Sequence, residues 1–582
     1  MRRVASLIKA YGLVCFILAV LSTVLVFVLL FSTYQPSRPP GYGRRGGLTG
    51  AGTKRPYTLL LDVIEDSWLA HHNGPLNTSS DVLRPSSSGN GTFRLSYVGV
   101  LARHGARYPT ARKLKLSKAA AKWICDITDG QHSQEGRWKE AQDWCTWMLA
   151  SLDGVQGGGL NSFGEWEQRE FGREIAKTYF PSSSTSSSSP GPCSPASASS
   201  LPASTCPTLP PLPTVSVSVT AKARTKQSCR AFWDGVYETV SPSSFDAQQV
   251  PPPSSADAPI SAGLCDAAEA EAEGLLRPYT TCLRVQRHRK AVVDGLYDPR
   301  TIKAARRALL ENLDHPSLPH SSVPSDDIVL GVFYACQAAF TLVDPSPSSQ
   351  EQTPPDQPFP PPSRPDLACS LLSSSSFPLP SPLEALEATE DTENYQTRGF
   401  GPASSKEVMA PFLRHLTQRM EKRGGGAEAQ RPLMIDLFFA HDSTVLPVVA
   451  LLDLVRLGPH PHGAARLCPF SSRLTVERWE RTSEEDGEAG DEDKEASLER
   501  RSQSLIEHKL AAIQDRQGVI KNRQASDRIV LRYNGLLLKT IEGGLAEWKE
   551  VYADALLVRH EEVCNVPASQ LYPSPNEVEE DL

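Results

Sequence analysis

The chain has 582 residues, 48 prolines, 12 cysteines and a formal net charge of −7, long enough for one large domain and a smaller companion once its Ser/Pro tracts are set aside. Its acidity sits in two stretches, Glu484–Glu495 and Glu577–Asp581, and leaves the rest mildly basic. With no basic platform interleaved by aromatics the composition excludes nucleic acid as a partner, and with no close Cys-x-x-Cys or Cys/His cluster it excludes a zinc site.

Residues 1–9, with Arg2, Arg3 and Lys9, read as a cytoplasmic tail. Residues 10–33 read as a transmembrane signal anchor: no charged side chain occurs from Ala10 to Ser37, and Leu13 to Phe31 is almost wholly apolar. About 20 such residues span the hydrocarbon core of a bilayer. A cleaved signal peptide is the alternative, but its apolar stretch would be shorter and no clear small-x-small cleavage site follows. An N-terminal transmembrane helix puts the body on the lumenal or extracellular side of the secretory pathway. A Gly/Arg-rich stem follows over 34–56. Asn77 and Asn90 are glycosylation acceptors in turn-rich sequence. Cys15 aside, eleven cysteines remain, so at least one thiol is free or paired between chains.

The body spans 57–570 and an acidic tail closes the chain at 571–582. Inserts near 182–213, 241–259 and 344–382 are Ser/Pro-biased, and one near 482–499 is acidic. Such composition cannot bury enough apolar surface to offset chain entropy, which predicts disordered surface loops. Between them, Leu95–Ala102 and the apolar run Leu433–Ala440 read as buried strands, and Thr214–Thr220 alternates with period two. Amphipathic helices are predicted over Glu165–Tyr179, Pro299–Leu313, Lys406–Lys422 and Gly544–Glu562. Strands alternating with helices imply an α/β sheet covered on both faces, with chemistry at the carboxyl ends of its strands.

Each predicted strand is followed by residues suited to a phosphate. After the first stands Arg103-His104-Gly105-Ala106-Arg107-Tyr108-Pro109-Thr110. A neutral imidazole can attack phosphorus while guanidiniums hold the oxygens through charge-assisted bonds, and a glycine lets the backbone turn sharply beside the anion. Arg224 stands four residues past the second strand. The third delivers His441-Asp442, which also suits the N-cap of a following helix.

The eight-residue string resembles the Arg-His-Gly-x-Arg-x-Pro signature of the histidine acid phosphatases, and its Tyr-Pro-Thr ending resembles the multiple inositol polyphosphate phosphatase branch. Gly52-Thr53-Lys54 with Tyr57, Leu160 with Gly164 and the helix to Phe180-Pro181, and Arg224, Ser228, Phe232 and Gly235 resemble further elements of that branch. His441-Asp442 departs from its His-Ala-Glu and resembles the His-Asp of prostatic-type acid phosphatases and bacterial phytases. The resemblance implies a mixed, mostly parallel sheet flanked by helices on both faces, with a smaller inserted α-helical cap domain.

It further implies His104 as nucleophile, Arg103, Arg107 and Arg224 as phosphate clamp, His441 as a donor to a phosphate oxygen, and Asp442 as proton donor to the leaving alkoxide. It also implies a Cys336–Cys369 disulfide, and neither cofactor nor metal. A small phosphorylated substrate is implied, an inositol polyphosphate first and a broader range of monoesters second. A catalytically dead, membrane-tethered interaction protein is the reading from another class. Arg112, Lys113 and Lys115, just past the signature, are the candidates for binding further phosphates; the basic stretch Arg284–Lys290 is a weaker one.

Overall fold

The computed structural model describes residues 92–129, 136–180, 213–240, 264–266, 269–313, 323–342, 364–373, 380–422, 432–455, 467–482 and 527–564. The anchor, the stem, Thr53 to Tyr57, Asn77, Asn90, Cys15, Cys193, Cys206, most of the inserts and the acidic tail lie outside them. Among the described residues no helix is long and apolar enough to cross a membrane.

In chain order the elements are β1 (Thr92–Arg103), α1 (Ala111–Asp129), α2 (Arg137–Leu152), α3 (Ser162–Tyr179), β2 (Thr214–Val219) and α4 (Ala223–Thr239). Next come α5 (Glu269–Leu276), α6 (Leu283–Asp294), α7 (Pro299–Leu313), α8 (Asp326–Leu342), α9 (Leu367–Leu372) and α10 (Pro382–Thr397). The chain continues with α11 (Ala403–Glu407), α12 (Ala410–Glu421), β3 (Met434–Ala440), α13 (Asp442–Leu451) and β4 (Arg473–Thr482). It ends with β5 (Asp527–Tyr533), β6 (Leu536–Ile541), α14 (Gly544–Val551), α15 (Ala553–Leu557) and α16 (His560–Cys564).

The six strands form one sheet in the order β2-β3-β1-β4-β5-β6. Alternation along each strand feeds two cores. Tyr97, Leu101, Phe438, Leu474, Val476, Ile529 and Leu531 face α12, α13 and α14. Val98, Val100, Ile435, Leu437 and Phe439 face α3 and α4 on the other side. A third core is wholly helical, built by α1, α2, α7, α8, α9 and α10 around Trp144, Phe333 and Leu309. Helices α3 and α4 cross closely because each has a glycine at the contact: a Cβ at Gly172 would lie 1.9 Å from the Phe232 carbonyl oxygen, and one at Gly235 1.9 Å from that of Arg169.

Three expectations are corrected. The sheet is not mostly parallel: β2, β3 and β1 are parallel, whereas β1, β4, β5 and β6 are antiparallel. The antiparallel half carries charged residues that pair with one another, Arg478 with Asp527 and Arg532 with Glu477. Its hairpin turns at Asn534-Gly535, with φ of 53° and 83°, the pair of left-handed residues a tight hairpin requires. The insert near 344–382 is not loop throughout. Leu367, Leu371 and Leu372 of α9 are buried, Cys369 pairs with Cys336, and Ser381 with Glu384 forms a capping box that starts α10. Finally, the 406–422 and 544–562 helices are interrupted. Pro411 at the start of α12 cannot extend α11, and α14, α15 and α16 are separate short helices.

Candidate active site

The register Arg103 to Ala440 and Val219 to Phe439 brings the carboxyl ends of the three parallel strands level. His104, Thr220 and His441, each the next residue after its strand, therefore meet at the carboxyl end of the parallel strands.

The loop after β1 is pinned on every side. The His104 N–H donates to the Ala440 carbonyl at 3.0 Å, and the Ser471 N–H to the His104 carbonyl at 3.1 Å. The Gly105 N–H donates to Ser228 Oγ at 3.0 Å and the Ala106 N–H to Glu167 Oε2 at 2.9 Å. Gln168 Nε2 donates to the Arg103 carbonyl at 3.1 Å and to Ser471 Oγ at 2.8 Å. Gly105 is required for a different reason than a sharp turn: a Cβ there would stand 2.3 Å from the Gly164 carbonyl oxygen, so the loop lies directly on the first turn of α3. Asn161 caps that turn, accepting from the Gly164 N–H at 2.9 Å.

Within this frame His104 is buried, its ring 5.4 Å from that of His441 and 5.7 Å from that of Phe470. Its Nδ1 lies 2.8 Å from the Gly105 carbonyl oxygen, which can only accept, so Nδ1 carries the hydrogen and Nε2 the lone pair. Burial first, then the Arg224 and Arg103 guanidiniums, hold the imidazole well below its ordinary range, and it is neutral.

Arg103 is fully buried, its guanidinium 4.3 Å over the Phe470 ring, bonded to the Cys468 carbonyl and, at 3.3 Å, to Asp442 Oδ2. Burial and the charges of Arg224 and Arg103 pull Arg107 down to about 9, still charged at acid and neutral pH. Arg224, at the start of α4, is likewise lowered by burial. Cations that crowd one another in this way form a site made for an anion.

The His441 ring lies between two partners: Nε2 is 3.0 Å from Thr220 Oγ1 and Nδ1 is 3.3 Å from Arg224 Nη2. Burial, then Arg224 and Arg277, lower its proton affinity well below the ordinary value. Asp442 opens α13. Its Oδ1 accepts from the Ser443 N–H at 2.8 Å, and its Oδ2 accepts from Arg103 and from Arg398. It is thus both a helix N-terminal carboxylate and a member of the site.

The structure therefore brings together Arg103, His104, Arg107, Arg224, His441 and Asp442. It separates the next group. Arg112 and Lys115 are exposed, whereas Lys113 turns inward, bonds Glu390 Oε1 at 3.1 Å and lies 4.2 Å over the Tyr334 ring. Lys113 lines a shallow cleft, open to solvent, with Arg107, Tyr108, Gln337, Thr341 and Phe470. Burial opposes the Lys113 ammonium, but Glu390, Tyr334 and Glu393 together more than offset it and raise its proton affinity. Of the stretch Arg284–Lys290, Arg289 turns inward, and Arg284, Arg287 and Lys290 are exposed.

Thr220, Phe470 and Arg398 escaped the sequence reading. Thr220 was legible as the residue after β2. Arg398 carries one local mark, the following Gly399 at φ 128°, where a Cβ would meet Pro447 Cα at 2.8 Å. Nothing near Phe470 in the sequence marks it. Its loop is placed by β4, and Ser471 there has a left-handed φ of 59° with its hydroxyl tied to Glu167 and Gln168.

A strand-end histidine among arginines, with a His-Asp pair from the neighbouring strand, defines a histidine phosphatase site. Residues 94–489 match the family model of the histidine phosphatase superfamily (branch 2), and the chain belongs to that family. A multiple inositol polyphosphate phosphatase of Bifidobacterium longum, crystallised with inositol hexasulfate, is 14% identical, with 88% of this chain and 99% of that one covered and a TM-score of 0.49. A phytase of D. castellii is 13% identical, with 82% of each chain covered and a TM-score of 0.47. No curated protein matches the chain.

Proposed function

We propose that this protein hydrolyses phosphate monoesters through a phosphohistidine on His104. The observation that carries the reading is the bond from Nδ1–H to the Gly105 carbonyl, which leaves the Nε2 lone pair free beside the guanidiniums of Arg103, Arg107 and Arg224. In the first step Nε2 bonds to phosphorus as the P–O bond to the leaving group breaks, and Asp442 gives the leaving oxygen its proton. The Gly105 carbonyl steadies the positive charge that develops on the imidazole. Arg103 and Arg398 hold Asp442 Oδ2; a phosphoryl group competes for them, which lets the carboxyl take up that proton. In the second step water attacks phosphorus, the N–P bond breaks, and Asp442 recovers a proton from the water. Trapping the intermediate tests this: wild type should yield an acid-labile phosphohistidine in a rapid alkaline quench, and His104→Ala should yield none and turn nothing over.

Inositol polyphosphates are the substrate class supported by the motif resemblance and by cations beyond the clamp, Arg398 and the inward Arg289. The second reading, a broader range of monoesters, is favoured by Glu390, which neutralises Lys113 in the neighbouring pocket. A panel comparing inositol hexakisphosphate with monophosphates decides between them. For location, we take the catalytic body to be lumenal or extracellular and tethered by residues 10–33; the disulfides support an oxidising compartment. Retention in the membrane after a carbonate wash, with a glycosidase-sensitive mass, is the expected result.

A further inference from the structure

Two cations beyond the clamp, Lys113 and Arg398, each meet a carboxylate of α10. Lys113 lines the cleft that Arg107 and Phe470 share with the phosphate site. Its ammonium lies 3.1 Å from Glu390 Oε1 and 4.2 Å over the Tyr334 ring. Gln337 Nε2 donates to the other Glu390 oxygen at 2.6 Å, and the Tyr334 hydroxyl stands 3.1 Å from that of Tyr297. Glu390 and Gln337 are both buried, so this ion pair is built into the cap rather than laid on its surface. Arg398, bonded to Asp442, also lies 3.7 Å from Glu393, one turn further along α10. Arg289 faces Arg398 and Glu393, is half-buried, and has no ion pair among the described residues.

A substrate with a second phosphate in this cleft could take the Lys113 ammonium only by parting it from Glu390. That would leave a buried carboxylate without its cation, beside an incoming anion. Two negative charges there repel each other more strongly than they would in water. A hydroxyl meets no such penalty. An ammonium has three donors, so a hydroxyl can accept from it while the ion pair stays closed, and Tyr108 and Thr110 add uncharged polar groups to the lining. We infer that Glu390 is a specificity-determining residue: paired with Lys113, it fits the cleft to the hydroxyls of a polyol rather than to its further phosphates. The preferred substrates are then polyol phosphates of low phosphorylation. The inference rests on the phosphatase reading of the Arg-His-Gly loop and narrows its substrate class. Arg289 leaves room for one further phosphate, not for a full ring of them.

The test is the ratio of kcat/KM for inositol hexakisphosphate to that for glycerol 2-phosphate, measured on the whole protein in one buffer. Effects of a substitution on the chemistry common to both esters cancel in the ratio. In wild type the ratio should lie below one. Glu390→Gln keeps the size of the side chain but releases the ammonium. It should raise the ratio on the order of tenfold, through KM rather than kcat, the worth of one charge-assisted hydrogen bond. Lys113→Met should lower the ratio, and the double variant should bring it back near the wild-type value, which a merely structural role of Glu390 would not produce. Glu390→Asp, which withdraws the carboxylate by one methylene, should give the same sign in a smaller step and serves where Glu390→Gln does not fold. A wild-type ratio above one, or a ratio unchanged in a folded Glu390 variant, overturns the inference and leaves the phosphatase reading standing. If wild type hydrolyses neither ester, that reading fails and the inference falls with it.

Discussion

Asp442 is the residue on which the chemistry and the architecture overlap most, because the same carboxylate receives the Ser443 N–H of α13 and two arginines of the site. Asp442→Asn keeps an acceptor for the helix but has no proton to transfer. Steady-state rates should fall on the order of a hundredfold for alkyl phosphates, whose alkoxide needs protonation, and much less for aryl phosphates. Equal losses on both would make Asp442 a cap and nothing more. The buried histidines make the stability depend on pH. Both His104 and His441 have folded-state proton affinities well below that of an unfolded histidine. Below a pH of about 6.5 the unfolded chain therefore binds more protons, and stability present above that pH is lost as pH falls. Each group contributes a slope approaching ~1.4 kcal/mol per pH unit. His441→Asn should flatten the acid limb of a plot of melting temperature against pH, whereas saturating phosphate should raise the curve by stabilising the folded state.

At the scale of elements, the site depends on how closely the β1 loop lies on α3. Gly105→Ala forces a Cβ to within 2.3 Å of the Gly164 carbonyl, whereas Gly159→Ala meets nothing nearer than 3.4 Å. The first should cost on the order of 1–3 kcal/mol in denaturant melts and lower turnover as well, and the second should cost far less. The same helix-level view separates the basic residues of α1. Lys113 lies inward against Tyr334 and Glu390, so on the inositol polyphosphate reading Lys113→Ala should raise KM for inositol hexakisphosphate severalfold, while Arg112→Ala and Lys115→Ala, on the solvent side, should leave it within twofold in the same assay (about 0.4 kcal/mol or less). The parallel strands and the residues after them were legible because apolar runs and an unusual string coincide there. The antiparallel strands were not, because Arg473–Thr482 mixes apolar with charged residues and its partners are far away in sequence, β1 more than 370 positions earlier and β5 more than 40 later. The Asn534-Gly535 turn was the available signal. Thr220 follows a legible strand and Arg398 precedes a marked glycine, whereas Phe470 joins the site through long-range packing alone, which no local pattern encodes.

The whole molecule is tied by four disulfides among the described residues, Cys125–Cys145, Cys229–Cys265, Cys282–Cys564 and Cys336–Cys369. Three close separations of 20, 36 and 33 residues within neighbouring elements, but Cys282–Cys564 spans 282 residues. It fastens α16 beside the start of α6, the helix whose inward Arg289 lies near Arg398 and Asp442. A crosslink that spans so much chain restricts the unfolded ensemble most, and its loss should cost roughly 2–5 kcal/mol. We therefore expect Cys564→Ala to lower the melting temperature more than Cys145→Ala does, and mild reductant to bring wild type toward the Cys564→Ala value. Cys468, the free thiol among the described residues, is buried 3.0 Å from Ser472 Oγ and should not react with thiol reagents until the protein unfolds. Measured by differential scanning calorimetry with and without reductant, a larger loss from Cys145→Ala would show that the helical core, rather than the C-terminal tie, limits the stability of the fold.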